Sequence, residues 1–161
     1  MLSELLQGER AHTNSLHCID VSAEVAGRRS SNLPHSVFEL VWHMNFWMSH
    51  ELRRISGSPL PYPEHASLGW PTASTPGVEE WRRARDDFRG SVRKVQEIAA
   101  AVPAERERVV LNSSPLEGTR QYTVEEIVWQ TAVHNSYHLG QVALVRRALG
   151  ESPPKEGSDT W

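Results

Sequence analysis

At 161 residues, 39% apolar and 23% charged, the chain is long enough to form one domain with its own core, without disulfides or a structural metal. A formal net charge of -3 excludes a general nucleic-acid binder, which needs a basic footprint to displace counterions from phosphates. The lone cysteine, Cys18, excludes an intrachain disulfide and points to a reducing, cytoplasmic setting.

The opening run MLSELLQGER suits a short helical turn over Ser3–Leu6, and Glu4, Glu9 and Arg10 interrupt any apolar stretch of a signal peptide. A first bundle helix is expected from Ser15 to Ala26, with Gly27 as its stop. Cys18 within it reads as a small buried apolar residue, not a nucleophile. The second helix opens with the capping box Ser36-Val37-Phe38-Glu39, just after Pro34. Its apolar residues Val37, Leu40, Val41, Met44, Trp47, Met48, Leu52 and Ile55 recur at helical spacing, and Gly57 ends the run.

From Ser56 to Gly77 lies a loop holding Pro59, Pro61, Pro63, Pro71 and Pro76. Loops of this length in a compact domain are usually functional, and Tyr62 and Trp70 are expected to anchor it to the bundle. Thr75 as N-cap and Pro76 at the first helical position predict the start of a third helix. Its core stripe is Val78, Trp81, Ala84, Phe88, Val92, Val95, Ala99 and Val102, closed by Pro103. The arginines of this helix, from Arg82 to Arg93, alternate with Glu79, Glu80, Asp86 and Asp87, which describes a solvated face.

Residues 104–122 leave room for one brief extended piece at Val109-Val110-Leu111. A second capping box, Thr123-Val124-Glu125-Glu126, starts the fourth helix, which runs to Leu149 before Gly150. No charged residue falls between Ile127 and Val145, yet Gln130, His134, Asn135, Ser136, His138 and Gln141 make this stretch too polar for lipid. Residues 152–161 are expected to form an irregular tail. The pattern predicts an all-α four-helix bundle over residues 1–161.

The chemistry is carried by histidines. His134 and His138 stand at i and i+4, one turn apart on one helix face, a spacing that suits two nitrogen ligands on one transition metal. Eight histidines in 161 positions would give about 0.4 such pairs by chance, so context must decide. The core stripe of the fourth helix passes through Ile127, Thr131, His134, His138, Gln141 and Val145, and His43 lies on the inner face of the second helix with Leu40 and Trp47. The plain alternative is three neutral core histidines bonded to neighbours, which leaves several imidazole nitrogens to be satisfied.

The run His134-Asn135-Ser136-Tyr137-His138-Leu139-Gly140-Gln141, continuing to Arg146-Arg147-Ala148-Leu149-Gly150 and Pro153-Pro154, resembles the last helix of DinB/YfiT-like proteins. Pro34-His35-Ser36-Val37 with Leu40-Val41-Trp42-His43-Met44-Asn45 resembles their second helix. The resemblance spans about Gly8 to Pro154. It implies a four-helix bundle, frequent homodimers, and one divalent metal such as nickel or zinc held by His43, His134 and His138. It also implies a metal-dependent enzyme, of thiol S-transferase type using a low-molecular-weight thiol, or of hydrolase type. A non-catalytic metal-binding or stress-response module is the second reading, and a metal-free helical dimer the third.

Three protein ligands leave a coordination position open, as in catalytic zinc-type sites. The residue after His134 is Asn135, so the helix lacks the general base of the HExxH metalloproteases. His12 is a candidate acid or base on the open side. His50, about 10 Å along the axis from His43, is too distant for the same ion. His17, His35 and His65 read as surface, capping or loop residues, and Tyr137 as pointing away from the ligands. Trp42, Trp47, Trp81 and Trp129 read as core packing, with Trp47 also a possible pocket wall. Ligating histidines are neutral, so metal occupancy is expected to fall as pH drops through about 6.

Overall fold

Two capping boxes fix the helices that carry the histidines. Ser36 Oγ accepts from the Glu39 amide at 3.2 Å while the Glu39 carboxylate accepts from the Ser36 amide at 2.8 Å. Thr123 and Glu126 repeat the exchange at 3.2 and 2.8 Å. Each box satisfies two amides that a helix start leaves without partners. In the computed structural model, which describes residues 2–8, 11–110, 112, 118 and 120–151, the helices are α1 (Leu2–Leu5), α2 (Ser15–Cys18), α3 (Ala23–Gly27), α4 (Val37–Ile55), α5 (Val78–Ala99), α6 (Pro103–Arg106) and α7 (Val124–Ala148).

The fold is all-α, built on α4, α5 and α7, which pack on one another. The core between them joins Phe38, Leu40, Met44 and Met48 of α4 to Trp81 and Phe88 of α5 and to Leu139 and Val142 of α7. A second cluster at the far end gathers Leu6, Ile55, Val95, Val124 and Ile127. On the exposed side of α5, Arg82 pairs with Glu79 and Asp86 at 2.9 and 3.1 Å, as the alternating charges imply. Among the described residues no helix is long and apolar enough to cross a membrane.

The expected first helix is broken. α2 stops at Cys18, and Ser22 Oγ, accepting from the Val25 amide at 3.2 Å, restarts the chain as α3. The carbonyls that a continuous helix would bond internally are taken from outside. The buried Arg146 donates to the carbonyls of His17 and Cys18 at 3.0 and 2.8 Å, and Trp81 Nε1 donates to that of Val21 at 2.8 Å. The two short helices fill the fourth bundle position, α2 against α7 and α3 against α4 and α5.

Other boundaries move for similar reasons. α5 starts at Val78 with Gly77 as N-cap, its amide donating to Glu80 at 3.4 Å. Thr75 and Pro76 pack against Gly27 instead, where a Cβ would come within 3.0 Å of either side chain. Val78 and Val102 are exposed, so the core stripe of α5 is shorter than its apolar pattern. Pro103 opens α6 and does not close α5, which ends at Ala99. α1 lies one residue earlier than expected. The extended piece forms strand β1 (Val109–Val110), paired antiparallel with β2 (Tyr122–Thr123). Leu111 and the tail 152–161 lie outside the described residues.

Phe88 is fully buried where α5 meets α4. Phe88→Ala should therefore lower stability by about 3–5 kcal/mol in urea unfolding, through lost burial and a residual cavity; a loss below about 1 kcal/mol would contradict this packing.

Candidate metal centre

Three imidazoles meet where α4, α7 and the end of the long loop converge. His43 projects from α4, and His134 and His138 from successive turns of α7. One nitrogen from each falls within a group whose atoms all lie within 4.8 Å of one another. Ring centroids are 4.5 Å apart for His134–His138, 4.7 Å for His43–His138 and 5.3 Å for His43–His134. His43 and His138 are buried, and His134 is half-buried at the rim.

The outer nitrogens decide which atoms face the centre. His43 Nδ1 lies 2.7 Å from the carbonyl of Gly69, and His138 Nδ1 lies 2.7 Å from Gln141 Oε1. A carbonyl oxygen only accepts, so each Nδ1 carries the proton and each Nε2 keeps its lone pair. His138 Nε2 and His134 Nε2 stand 3.1 Å apart. Two nitrogens bound to one ion at 2.0–2.1 Å with tetrahedral angles stand about 3.3–3.4 Å apart, so a small shift admits a metal. Neutral imidazole donors suit zinc, nickel, copper or iron, and the hydrogen-bonded outer nitrogens are the usual support of metal-ligating histidines. The donor set fits a divalent transition metal.

Electrostatics favour the same neutral state. Burial, then the neighbouring His138 and His43, pulls the His134 pKa down to about 4. Burial lowers His43, against the opposing hydrogen bond to Gly69, and burial also lowers His138. Each ring therefore keeps its neutral form to a lower pH than an ordinary histidine would.

A wall of rings surrounds the group. Trp70, at the end of a 3-10 turn over Ala66–Gly69, stacks on His43 at 4.0 Å on one side and on His35 at 3.9 Å on the other. Trp47 meets His43 edge-on at 6.3 Å. Trp47 also lines a cavity of about 90 Å³ with Met48, Glu51, Gln130, Thr131 and His134, as a pocket wall should.

The three histidines singled out in the sequence come together in space, while the residues that contact them were not all read. His35 is no mere surface residue, because it completes the stack over His43. Gly69 acts through its backbone, which leaves no residue signal. Gln141 stood on the core stripe, three residues after His138, and could have been read as its partner. Glu51 sits two turns beyond His43 on α4.

The other candidates lie elsewhere. His12 Nδ1 is 2.8 Å from the Thr13 carbonyl, and His12 is not part of the three-histidine group. His50 is buried against Trp47 and Tyr62, the latter anchoring the loop as expected. Tyr137 is exposed, and Trp129, expected in the core, is also exposed. Asn135 is buried with its amide 3.2 Å from the Met48 sulfur. The Cys18 thiol is buried and pushed up to about 11, which makes it a poor nucleophile.

A family model described as the DinB superfamily matches residues 7–142. No curated protein matches the chain.

The lowered histidines give the metal-free protein a defined acid sensitivity. The unfolded chain binds protons on these groups near pH 6.5, before the folded chain does. The contribution of His134 is therefore complete above about pH 6.5 and is lost as pH falls toward about 4, and burial of His43 and His138 acts in the same direction. In EDTA, urea unfolding at pH 7.5 and 5.0 should show this loss, and His134→Gln should reduce it. Equal slopes for parent and variant would contradict the buried neutral imidazole.

Proposed function

The chain belongs to the DinB superfamily, and on that premise we propose that His43, His134 and His138 bind one divalent metal ion at the centre of a metal-dependent enzyme. The observation that carries this reading is the convergence of imidazole nitrogens whose outer partners, Gly69 and Gln141, already hold the ligating tautomer. Nickel and zinc suit three nitrogen donors.

The three-residue donor set leaves a coordination position for water or a substrate atom. A divalent ion held there would acidify a coordinated water or thiol and supply a nucleophile near neutral pH. Around it, the chain's own groups divide the remaining work. Glu51 contributes the carboxylate that position 135 lacks, and its place in the cavity beside His134 suits it to accept a proton from a ligand there. Trp47 and Met48 restrict water, and Gln130 offers an amide for orientation. The reaction is transfer of a small thiol to an electrophile, or hydrolysis by an activated water.

A non-catalytic role is the second reading. An ion at this point would tie α4 to α7 and to the loop that Gly69 and Trp70 close over His43. A metal-stabilised module would use that tie alone, and chelation would then lower Tm while no small thiol or ester is turned over.

Metal analysis of untagged protein tests the centre directly. About one ion per chain is expected, lost in His43→Ala and His138→Ala while both variants keep their helical content. Gln141→Leu should weaken metal affinity about 10–100-fold by freeing the His138 ring. Full-length protein that binds no zinc or nickel would end the proposal. Where metal-loaded protein conjugates a thiol to a model electrophile, Glu51→Gln should retain the ion and lose about 10²–10⁴ in rate; an unchanged rate would remove Glu51 from the proton path.

A further inference from the structure

A second cavity, of about 450 Å³, lies between α4 and α5, and none of the three histidines lines it. Its wall on the α4 side is aromatic. Trp42 stacks on Phe46 with ring centroids 5.6 Å apart and an interplanar angle of 15°, and the buried Phe38 lies one turn before Trp42. Leu60 adds an apolar side chain from the long loop. Asn45 ties the two helices together here, its Nδ2 donating to the Ala84 carbonyl at 2.8 Å. A concave, mainly apolar space of this volume with a few polar groups has the size and character of a small-molecule site.

The α5 side of the cavity carries charge that the fold leaves unused. Along this helix Arg82 pairs with Glu79 and Asp86, Arg85 with Asp20, Arg89 with Asp86 and Arg93 with Glu97. Arg83 and Asp87 line the cavity, and among the described residues neither has an ion pair. They stand at i and i+4, the spacing at which Arg82–Asp86 and Arg93–Glu97 do close, at 3.1 and 3.7 Å. One cation and one anion thus stay apart at the edge of an aromatic-walled space. Glu80, the other charged lining residue, is already engaged at the helix start, where it accepts from the Gly77 amide at 3.4 Å.

We propose that this cavity binds a free α-amino acid with an aromatic or large aliphatic side chain, its carboxylate on Arg83, its ammonium on Asp87 and its side chain against Phe38, Trp42 and Phe46. An amino acid carries both charges on one carbon, and side chains one helical turn apart, about 5–6 Å between Cβ atoms, can converge on them. The guanidinium offers two parallel N–H donors to a carboxylate, and the carboxylate of Asp87 accepts from an ammonium. A ligand of a single charge would satisfy one edge group and be repelled by the other. A wholly apolar ligand would desolvate both charges and pair neither. Within a peptide the same residue loses one charge or both to amide bonds, so the free amino acid is the better match. The site stands apart from the metal reading, because it shares no residue with the three-histidine group.

Isothermal titration of the full chain in EDTA should show saturable binding of L-phenylalanine. N-acetyl-L-phenylalanine lacks the ammonium and L-phenylalaninamide lacks the carboxylate, and each should bind about tenfold more weakly. Glycine, which has no side chain to place against the rings, should not bind. Arg83→Gln should weaken phenylalanine about tenfold and remove its advantage over the amide, whereas Asp87→Asn should remove its advantage over the N-acetyl compound. Both side chains are exposed, so the circular dichroism of these variants should match the parent. Trp42→Ala should weaken phenylalanine and both capped analogues together. No saturable binding of L-phenylalanine or L-leucine below about 10 mM overturns the proposal. So do capped analogues that bind as tightly as phenylalanine, or an Arg83→Gln protein that still prefers phenylalanine to its amide.

Discussion

The two hydrogen bonds to imidazole Nδ1 atoms are the constraint on which the centre depends. A neutral imidazole has one donor and one acceptor, so a ring whose Nδ1 donates outward presents its remaining lone pair inward. Gly69 does this for His43 and Gln141 does it for His138. One partner is backbone from the loop and the other is a side chain one turn along α7. The orientation of these two rings is therefore set by the folded chain itself. Burial adds the second condition by keeping the same rings neutral at pH values where an exposed histidine would be charged.

What was legible in the sequence follows from how local each determinant is. Capping boxes at Ser36 and Thr123 involve residues three apart, and both appear as read. The inward stripe of α7 put His134 and His138 together, because helical spacing alone fixes their separation. Helix α2–α3 was misread because its break is held by Arg146 and Trp81, from helices far along the chain. Pro76 failed as a helix start because Gly27 offers it a packing site, a contact no local rule contains. Trp70 anchors the loop as expected, but the rings it stacks on and the Gly69 carbonyl were illegible, because both depend on where a 22-residue loop lands.

The odd composition of α7 becomes intelligible once its faces are separated. One side supplies core contacts to α4 and α5, and the flank beside it supplies two imidazoles and Gln141. The outer side leaves Trp129, Val133, Tyr137 and Leu144 exposed. Core packing and the placing of imidazoles account for the uncharged inner sides, and the apolar outer residues extend that character all round. Trp129 was assigned to the core for this reason, since an apolar residue on an all-round apolar helix carries no periodic label.

The long loop is the element whose ordering has to be offset by contacts. Fixing so many residues costs roughly 1–2 kcal/mol each in backbone entropy. The contacts that oppose this cost are concentrated along α4. Tyr62 meets Trp47 and His50, Ser74 accepts from Ser36 Oγ at 3.3 Å, and Trp70 lies between His35 and His43. The loop therefore lies along α4 as a cover, and its last turn delivers the Gly69 carbonyl to His43. Shortening it would remove the partner of His43 Nδ1 and the ring that shields it together. The length of the connection and the orientation of His43 within the three-histidine group are thus one structural requirement.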